Sequence, residues 1–185
     1  MKSMARLLSL LLLLILSPFF VLIGLIILID SGHPIFFKQK RIGKNNVHFF
    51  IYKFRTMKNN IGDIPTHLLE NSDSFYTYIG PFLRKMSLDE IPQLINIFLG
   101  DMKFIGPRPA LHNQVDLIEL RTQAGVHELM PGVTGWAQVN GRDELCIPKK
   151  VQMDKYYLKN KSLWLDLKIL FLTFTKVLKM EGVNQ

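Results

Sequence analysis

The chain has 185 residues, a formal charge of +8 and a pI near 9.6, which leaves room for one domain plus an anchor but not for two ordinary domains. A lone Cys146 excludes an internal disulfide framework and a cysteine-based zinc site. The basic balance calls for anionic partners, and net charge does not choose among nucleic acid, lipid headgroups and phosphorylated substrates.

From Leu7 to Ile29 no residue is charged, about the length that crosses a bilayer. A secretory signal fits poorly, because the run outlasts the usual apolar region and no small-residue cleavage site follows. Ser17-Pro18 stands at its middle, where proline removes a backbone hydrogen bond and crowds the preceding turn. Membrane helices tolerate proline, so a kinked spanning helix is the plain alternative. Lys2 and Arg6 precede the run, while Lys38, Lys40, Arg41 and Lys44 follow it. Bases on both flanks fit a helix that enters and returns to the cytoplasmic side. The expectation is a re-entrant helix-break-helix anchor over residues 1–30, bent at Ser17 and Pro18, and a cytoplasmic domain over 31–185.

Past the turn formers Ser31 to Pro34, the segments Ile35 to Arg41 and Val47 to Phe54 are rich in aromatic and β-branched residues, with Gly43 to Asn46 between them. They predict a small β-hairpin carrying basic side chains. Asn59 to Ser74 reads as a loop, Tyr78 to Met86 as a short helix, and Ile91 to Leu99 as a helix stopped at Gly100. Ala110 to Leu129 has mixed helical periodicity, and the glycine-rich stretch from Met130 to Arg142 reads as a shaped loop. Pro148 to Tyr157 and Leu163 to Met180 close the chain as helices. The last puts Leu163, Leu167, Leu170, Phe174 and Val177 on one stripe, which suits either a core or a helix lying among lipid headgroups. The fold class is α+β and mainly helical: the anchor, the hairpin, and interfacial amphipathic helices around a compact head.

Three stretches carry residues suited to chemistry. Ser87-Leu88-Asp89-Glu90-Ile91-Pro92 matches a helix-start capping box, and it equally places adjacent acids where phosphate and Mg²⁺ chemistry would want them. Pro107 and Pro109 fix φ on either side of Arg108, which suits bidentate phosphate binding or a buried structural arginine. Lys53 and Arg55, two apart on a strand, share a face. The aromatic and basic run around them suits nucleic-acid stacking or a grip on headgroups and diphosphates. No dinucleotide fingerprint, Walker loop or nucleophile elbow is present.

Taken together, Ser17-Pro18, Lys53-Phe54-Arg55-Thr56-Met57, Leu88 to Leu94, Gly100-Asp101-Met102, Gly106-Pro107-Arg108-Pro109, Pro131 to Gly135, Gln138 to Arg142 and Asp166-Leu167-Lys168 resemble the bacterial sugar transferase family, the monotopic phosphoglycosyl transferases, in its minimal single-domain form. The resemblance implies a polyprenyl-phosphate sugar-1-phosphate transferase at the cytoplasmic face of the bacterial inner membrane. Its donor would be a UDP-sugar, its acceptor undecaprenyl phosphate, its by-product UMP and its cofactor Mg²⁺. It maps the catalytic acidic pair onto Asp89, the covalent nucleophile, and Glu90, which could bind the metal, position Asp89 or handle a proton; both are also metal candidates. Lys53, Arg55, Arg84, Arg108 and Arg142 become substrate-binding residues, with Ser17, Pro18, Pro107 and Pro109 structural. The compact form is nearer to members acting on N-acetylated amino sugars. Membrane lipids and downstream glycosyltransferases are the further partners it implies, and nucleic acid is not.

Three positions depart from the family pattern: no acid stands near Ala5, Met130 replaces an arginine, and Gly32-His33-Pro34 replaces the Gly-Pro after the anchor. Two other readings use the same residues. A membrane-tethered nucleic-acid-binding module would use the hairpin and have no need of Asp89. A catalytically inactive scaffold for glycan enzymes would leave the acidic pair idle.

Overall fold

A computed structural model describes residues 2–58, 75–141 and 144–179. The loop expected from Asn59 to Ser74, and Arg142, lie outside the described residues. The chain is mixed α/β and mostly helical, and it divides into two compact units. One is formed by 2–39, 51–58 and 75–100, the other by 40–50, 101–141 and 144–179.

The apolar run is two helices, α1 (Lys2–Ile15) and α2 (Ser17–Ser31), bent by 60° at Leu16. Pro18 has no N–H to give the carbonyl of Leu14, four residues back. The Ser17 hydroxyl takes that place, donating to Leu14 O at 2.8 Å. Serine and proline therefore act as one unit: proline breaks the ladder, and serine covers the acceptor that the break exposes. Among the described residues no single helix is long and apolar enough to cross a membrane.

Strands β1 (Phe36–Ile42) and β2 (His48–Phe54) pair as the expected hairpin. A short turn at Lys44–Asn46 joins them, with Asn45 and Asn46 left-handed, a conformation asparagine tolerates. In the first unit, α2 turns Ile23 and Ile27 against Phe54 of β2 and Leu83 of α3 (Gly80–Lys85). Leu88 and Ile91, which flank the acidic pair, pack on the same cluster. Helix α4 (Gln93–Leu99) lies along α1. It ends at Gly100, left-handed at φ 94°, as the sequence predicts. A Cβ there would stand 2.1 Å from Arg6 Nη2, so glycine serves the backbone turn and also leaves the space for a guanidinium. Arg6 uses that space to donate to Leu99 O at 3.1 Å, a cation at a helix C-terminus.

The second unit departs further from expectation. Within the supposed loop lies β4 (Gly132–Thr134), parallel to β3 (Lys103–Ile105), with Lys103 opposite Gly132 and Ile105 opposite Thr134. Three-residue strands carry no readable alternation, and side-chain-free approach makes the pairing possible. A Cβ on Gly132 would meet Gly106 N at 2.1 Å, and one on Gly135 would meet Gly106 O at 2.1 Å. Short α6 (Trp136–Val139) follows, then α7 (Ile147–Asn160) and α8 (Leu163–Lys179). Helix α5 (Val115–Gln123) packs on α7, and its Leu117 joins Ala110 and Val151 in a small core.

Helix α8 packs on β3 and β4, burying Leu165 and Ile169 with Tyr157 and Val139. The stripe foreseen from the sequence is the other one. Leu163, Leu167, Leu170 and Phe174 are exposed, together with Trp164 and Phe171, so α8 has a core face and a separate apolar outer face. Tyr157 donates to Asp166 Oδ1 at 2.7 Å, tying α7 to α8.

Burial first, and the Asp166 carboxylate second, push the Tyr157 phenol well above its ordinary value of 10.0. Its contribution to stability is complete below that value and is lost as the pH climbs through the raised folded value. Tyr157→Phe should cost about 1 kcal/mol at neutral pH and remove this part of the alkaline decline. Thermal melts of both proteins from pH 7 upward check both effects.

Candidate active site

Asp89 and Glu90 lie in a single 3₁₀ turn, Leu88–Glu90, with Pro92 at the N-cap position of α4. The capping-box reading of Ser87 does not hold. Ser87 is left-handed at φ 54° and its side chain makes no capping bond, so the hydroxyl is not aimed at the helix amides. The acids stand before α4, on a turn that is fixed from outside.

Two bonds from β2 fix it. The Tyr52 N–H donates to Asn96 Oδ1 at 3.0 Å, and Asn96 is fully buried in α4. The next residue, Lys53, donates from Nζ to Glu90 Oε1 at 2.8 Å, with side chains only 12% and 9% exposed. At that burial the pair is shielded from solvent screening. Asp89 is itself buried, 6% exposed. A strand on one side and the Leu88 and Ile91 contacts on the other leave the acidic turn little freedom.

The expected substrate cations fall in different places. Lys53 is at the acids, held by Glu90. Arg84 is in the last turn of α3, which packs on the Leu88–Glu90 turn. It donates to the Tyr76 hydroxyl at 2.6 Å and lies over that ring, 5.2 Å from its centroid. Arg55 does not continue β2, which ends at Phe54, so the shared-face argument stops one residue short of it. Its buried guanidinium donates to Ser31 O and Oγ, Gly32 O and His33 O at 2.6–2.8 Å, at the C-terminal end of α2. What Arg55 shows is a structural task, closing the last turn of α2.

Arg108, Pro107 and Pro109 belong to the second unit. Two of these three residues have no N–H, so the loop is held through its carbonyls. Pro107 O accepts from Gly132 N at 3.0 Å, Arg108 O from Arg121 Nη1 at 2.7 Å, Pro109 O from Arg41 Nη1 at 3.1 Å, and Ala110 O from Ile42 N at 2.9 Å. The prolines are buried and Arg108 is half-buried. Arg108, Arg121 and His127 share the wall of a cleft of about 30 Å³, room for about one water. Arg121 in turn donates from Nε and Nη2 to Asp154 Oδ2 at 3.0 and 2.7 Å. Neither Arg121 nor Asp154 stands out in the sequence, because the two lie on separate helices with no motif to join them.

Among the described residues no group of three or more His, Cys, Asp or Glu side chains could enclose a metal. Mg²⁺ does not need such a cage, since it keeps waters and substrate phosphates and takes one or two protein carboxylates. Two adjacent buried acids fit that mode and no fuller one.

The sequence model of the bacterial sugar transferase family matches residues 1–180. An "Uncharacterized sugar transferase EpsL" of Bacillus subtilis is 44% identical over 160 residues, 86% of this chain and 78% of that protein. The undecaprenyl-phosphate glucose phosphotransferase of Komagataeibacter xylinus is 39% identical, over 91% of this chain but 34% of its own length. An Aeromonas hydrophila UDP-N-acetylgalactosamine-undecaprenyl-phosphate N-acetylgalactosaminephosphotransferase is 38% identical over 91% of this chain and 41% of its own. The chain thus spans less than half the length of each of these last two relatives.

Lys53→Met removes the buried Nζ bond to the Glu90 carboxylate and should cost about 3 kcal/mol. Adding Glu90→Gln should restore most of that loss, and denaturation of the single and double variants in detergent measures it.

Proposed function

Because the chain belongs to the bacterial sugar transferase family, we propose that it moves a sugar-1-phosphate from a UDP-sugar to undecaprenyl phosphate through a covalent intermediate on Asp89. The observation that carries this reading is the buried Asp89-Glu90 turn, fixed by Lys53 and Asn96. Relatives named for transfers to undecaprenyl phosphate supply the reaction class.

In the first step an Asp89 carboxylate oxygen attacks the β-phosphorus of the donor. The bond from that phosphorus to the bridging oxygen breaks, and UMP leaves with the bridge as a phosphate oxygen. The product is an aspartyl phosphosugar, an acyl phosphate. In the second step an oxygen of the lipid phosphate attacks the same phosphorus, the acyl bond breaks, and Asp89 returns as a carboxylate. Two displacements let a soluble donor and a membrane-bound acceptor use one carboxylate in turn.

An anionic nucleophile approaching a diphosphate is repelled unless the charge is countered. Mg²⁺ held by Asp89 and Glu90 would supply that neutralisation, and Arg84 and Arg108 are the arginines assigned to the phosphates. Lys53 holds Glu90 in place beside Asp89. The donor sugar is read as an N-acetylated amino sugar, although relatives are named for glucose and galactose as well.

The bent helix pair is read as a re-entrant anchor in the inner membrane, with the domain on the cytoplasmic face. Helices of 14 and 15 residues reach roughly 21–23 Å each, short of the roughly 30 Å hydrocarbon core. The 60° bend turns their sum away from a straight crossing.

Purified protein given Mg²⁺, a polyprenyl phosphate and a panel of UDP-sugars should release UMP, with the highest kcat/KM on an N-acetylated amino sugar. Asp89→Asn should lower the rate by at least about a thousandfold without altering the melt. Release of UMP by that variant at a comparable rate would refute the nucleophile, and EDTA should stop the wild type. For the anchor, Ser3→Cys in a Cys146→Ser background should resist an impermeant thiol reagent in intact cells and react after permeabilisation. Labelling from outside would overturn the re-entrant reading.

A further inference from the structure

From Leu88 to Leu99 a 3₁₀ turn passes into α4 without a break. Ile91 and Pro92 are right-handed helical, and the N–H groups of Ile91, Leu94 and Ile95 each bond three residues back. Side chains three and four apart on such a run are neighbours, with Cβ atoms roughly 5–6 Å apart. Gln93 follows Glu90 by three residues and Asp89 by four, and Asn96 follows Gln93 by three. All four of these polar residues are buried, Gln93 at 1% exposure. Strand β2 bonds two of them, Glu90 through Lys53 and Asn96 through the Tyr52 N–H. Gln93 lies between those two, and its Nε2 is buried with no hydrogen-bond partner among the described residues.

Buried amides nearly always find acceptors, and an orphan donor opposes folding. An apolar side chain of the same length would avoid that penalty, so stability does not account for the amide. A side chain only 1% exposed is closed to an acceptor arriving from solution, but not to one carried on a neighbouring side chain. The reaction on Asp89 makes such an acceptor. An oxygen of Asp89 bonds the β-phosphorus of the donor, that phosphorus loses its bridging oxygen, and UMP leaves with the electron pair. Residue 89 then carries an acyl phosphate with two non-bridging oxygens and a negative charge, one helical turn from Gln93. We propose that Gln93 is a further catalytic residue, whose Nε2 donates to a non-bridging oxygen of the phosphosugar bound to Asp89. This rests on the covalent transferase reading above and concerns the first unit alone. A donor left unbonded in the free protein, and bonded as the phosphoryl group arrives, favours the transition state over the ground state.

The test is Gln93→Met in the full-length protein, with UMP release followed through the first turnover, without acceptor, at varied UDP-sugar. The melting temperature should be unchanged or higher, since an orphan donor is removed. The first-turnover rate constant should fall about thirtyfold, the size of a lost charge-assisted hydrogen bond. The half-saturating donor concentration should stay as in the wild type. Gln93→Leu is the second variant, should methionine fit poorly. A wild-type rate constant in either folded variant overturns the proposal. A lowered melting temperature in both also overturns it, because the amide would then be bonded in the free protein. So does a raised half-saturating concentration, which would put the amide on the unreacted donor. Wild-type protein that turns over with acceptor but releases no first-turnover UMP without it refutes the covalent reading instead, so the two failures are distinct.

Discussion

The first unit depends on one guanidinium. Arg55 gathers the last carbonyls of α2 at Ser31, Gly32 and His33, and the same stretch of chain, two residues earlier, presents Lys53 to Glu90. The end of α2 and the acidic turn are thus referred to a single short piece of backbone. Orphan carbonyls at a helix end need a donor, and a cation there also opposes the helix dipole. Arg6 repeats the arrangement at the end of α4. Two arginines at two helix C-termini tie the apolar helices to the elements that hold Asp89.

Charge placement in this protein follows burial more than it follows substrate. Lys53, Arg55, Arg84 and Arg121 each engage a named protein partner. A chain of net charge +8 therefore does not offer all its positive charge to an anion. Part of it is committed to carbonyls and carboxylates of the protein itself, which matters for how strongly such a protein draws phosphates to itself.

The elements legible in the sequence were those long enough to show a period. The hairpin's aromatic and β-branched runs, the helix stopped by Gly100, and the two terminal helices lie where composition places them. The β3–β4 pairing was not legible, because it rests on glycines whose role is spatial rather than periodic. At the site, the adjacent acids are visible as a pair, while the choice between a cap at Ser87 and a chemical role for the acids stays open in the letters, because a positive φ leaves no trace there. Arg55 was grouped with Lys53 on alternation, which fails where the strand ends. Arg121 and Asp154 had no signal at all: their relation exists only through the packing of α5 on α7.

The Ser17 bond to Leu14 has a consequence for how the bent helix pair can change. A bend made by proline alone would leave the Leu14 carbonyl without the bond that the Ser17 hydroxyl makes, so the two residues work as a unit. The bend is then a two-letter module, portable in principle to any apolar helix, and its position along the run sets the lengths of the two arms. Sliding the module by one residue would lengthen one arm by about 1.5 Å and rotate the other by a quarter-turn or so. Drift at that position is thereby penalised even though both residues are chemically modest.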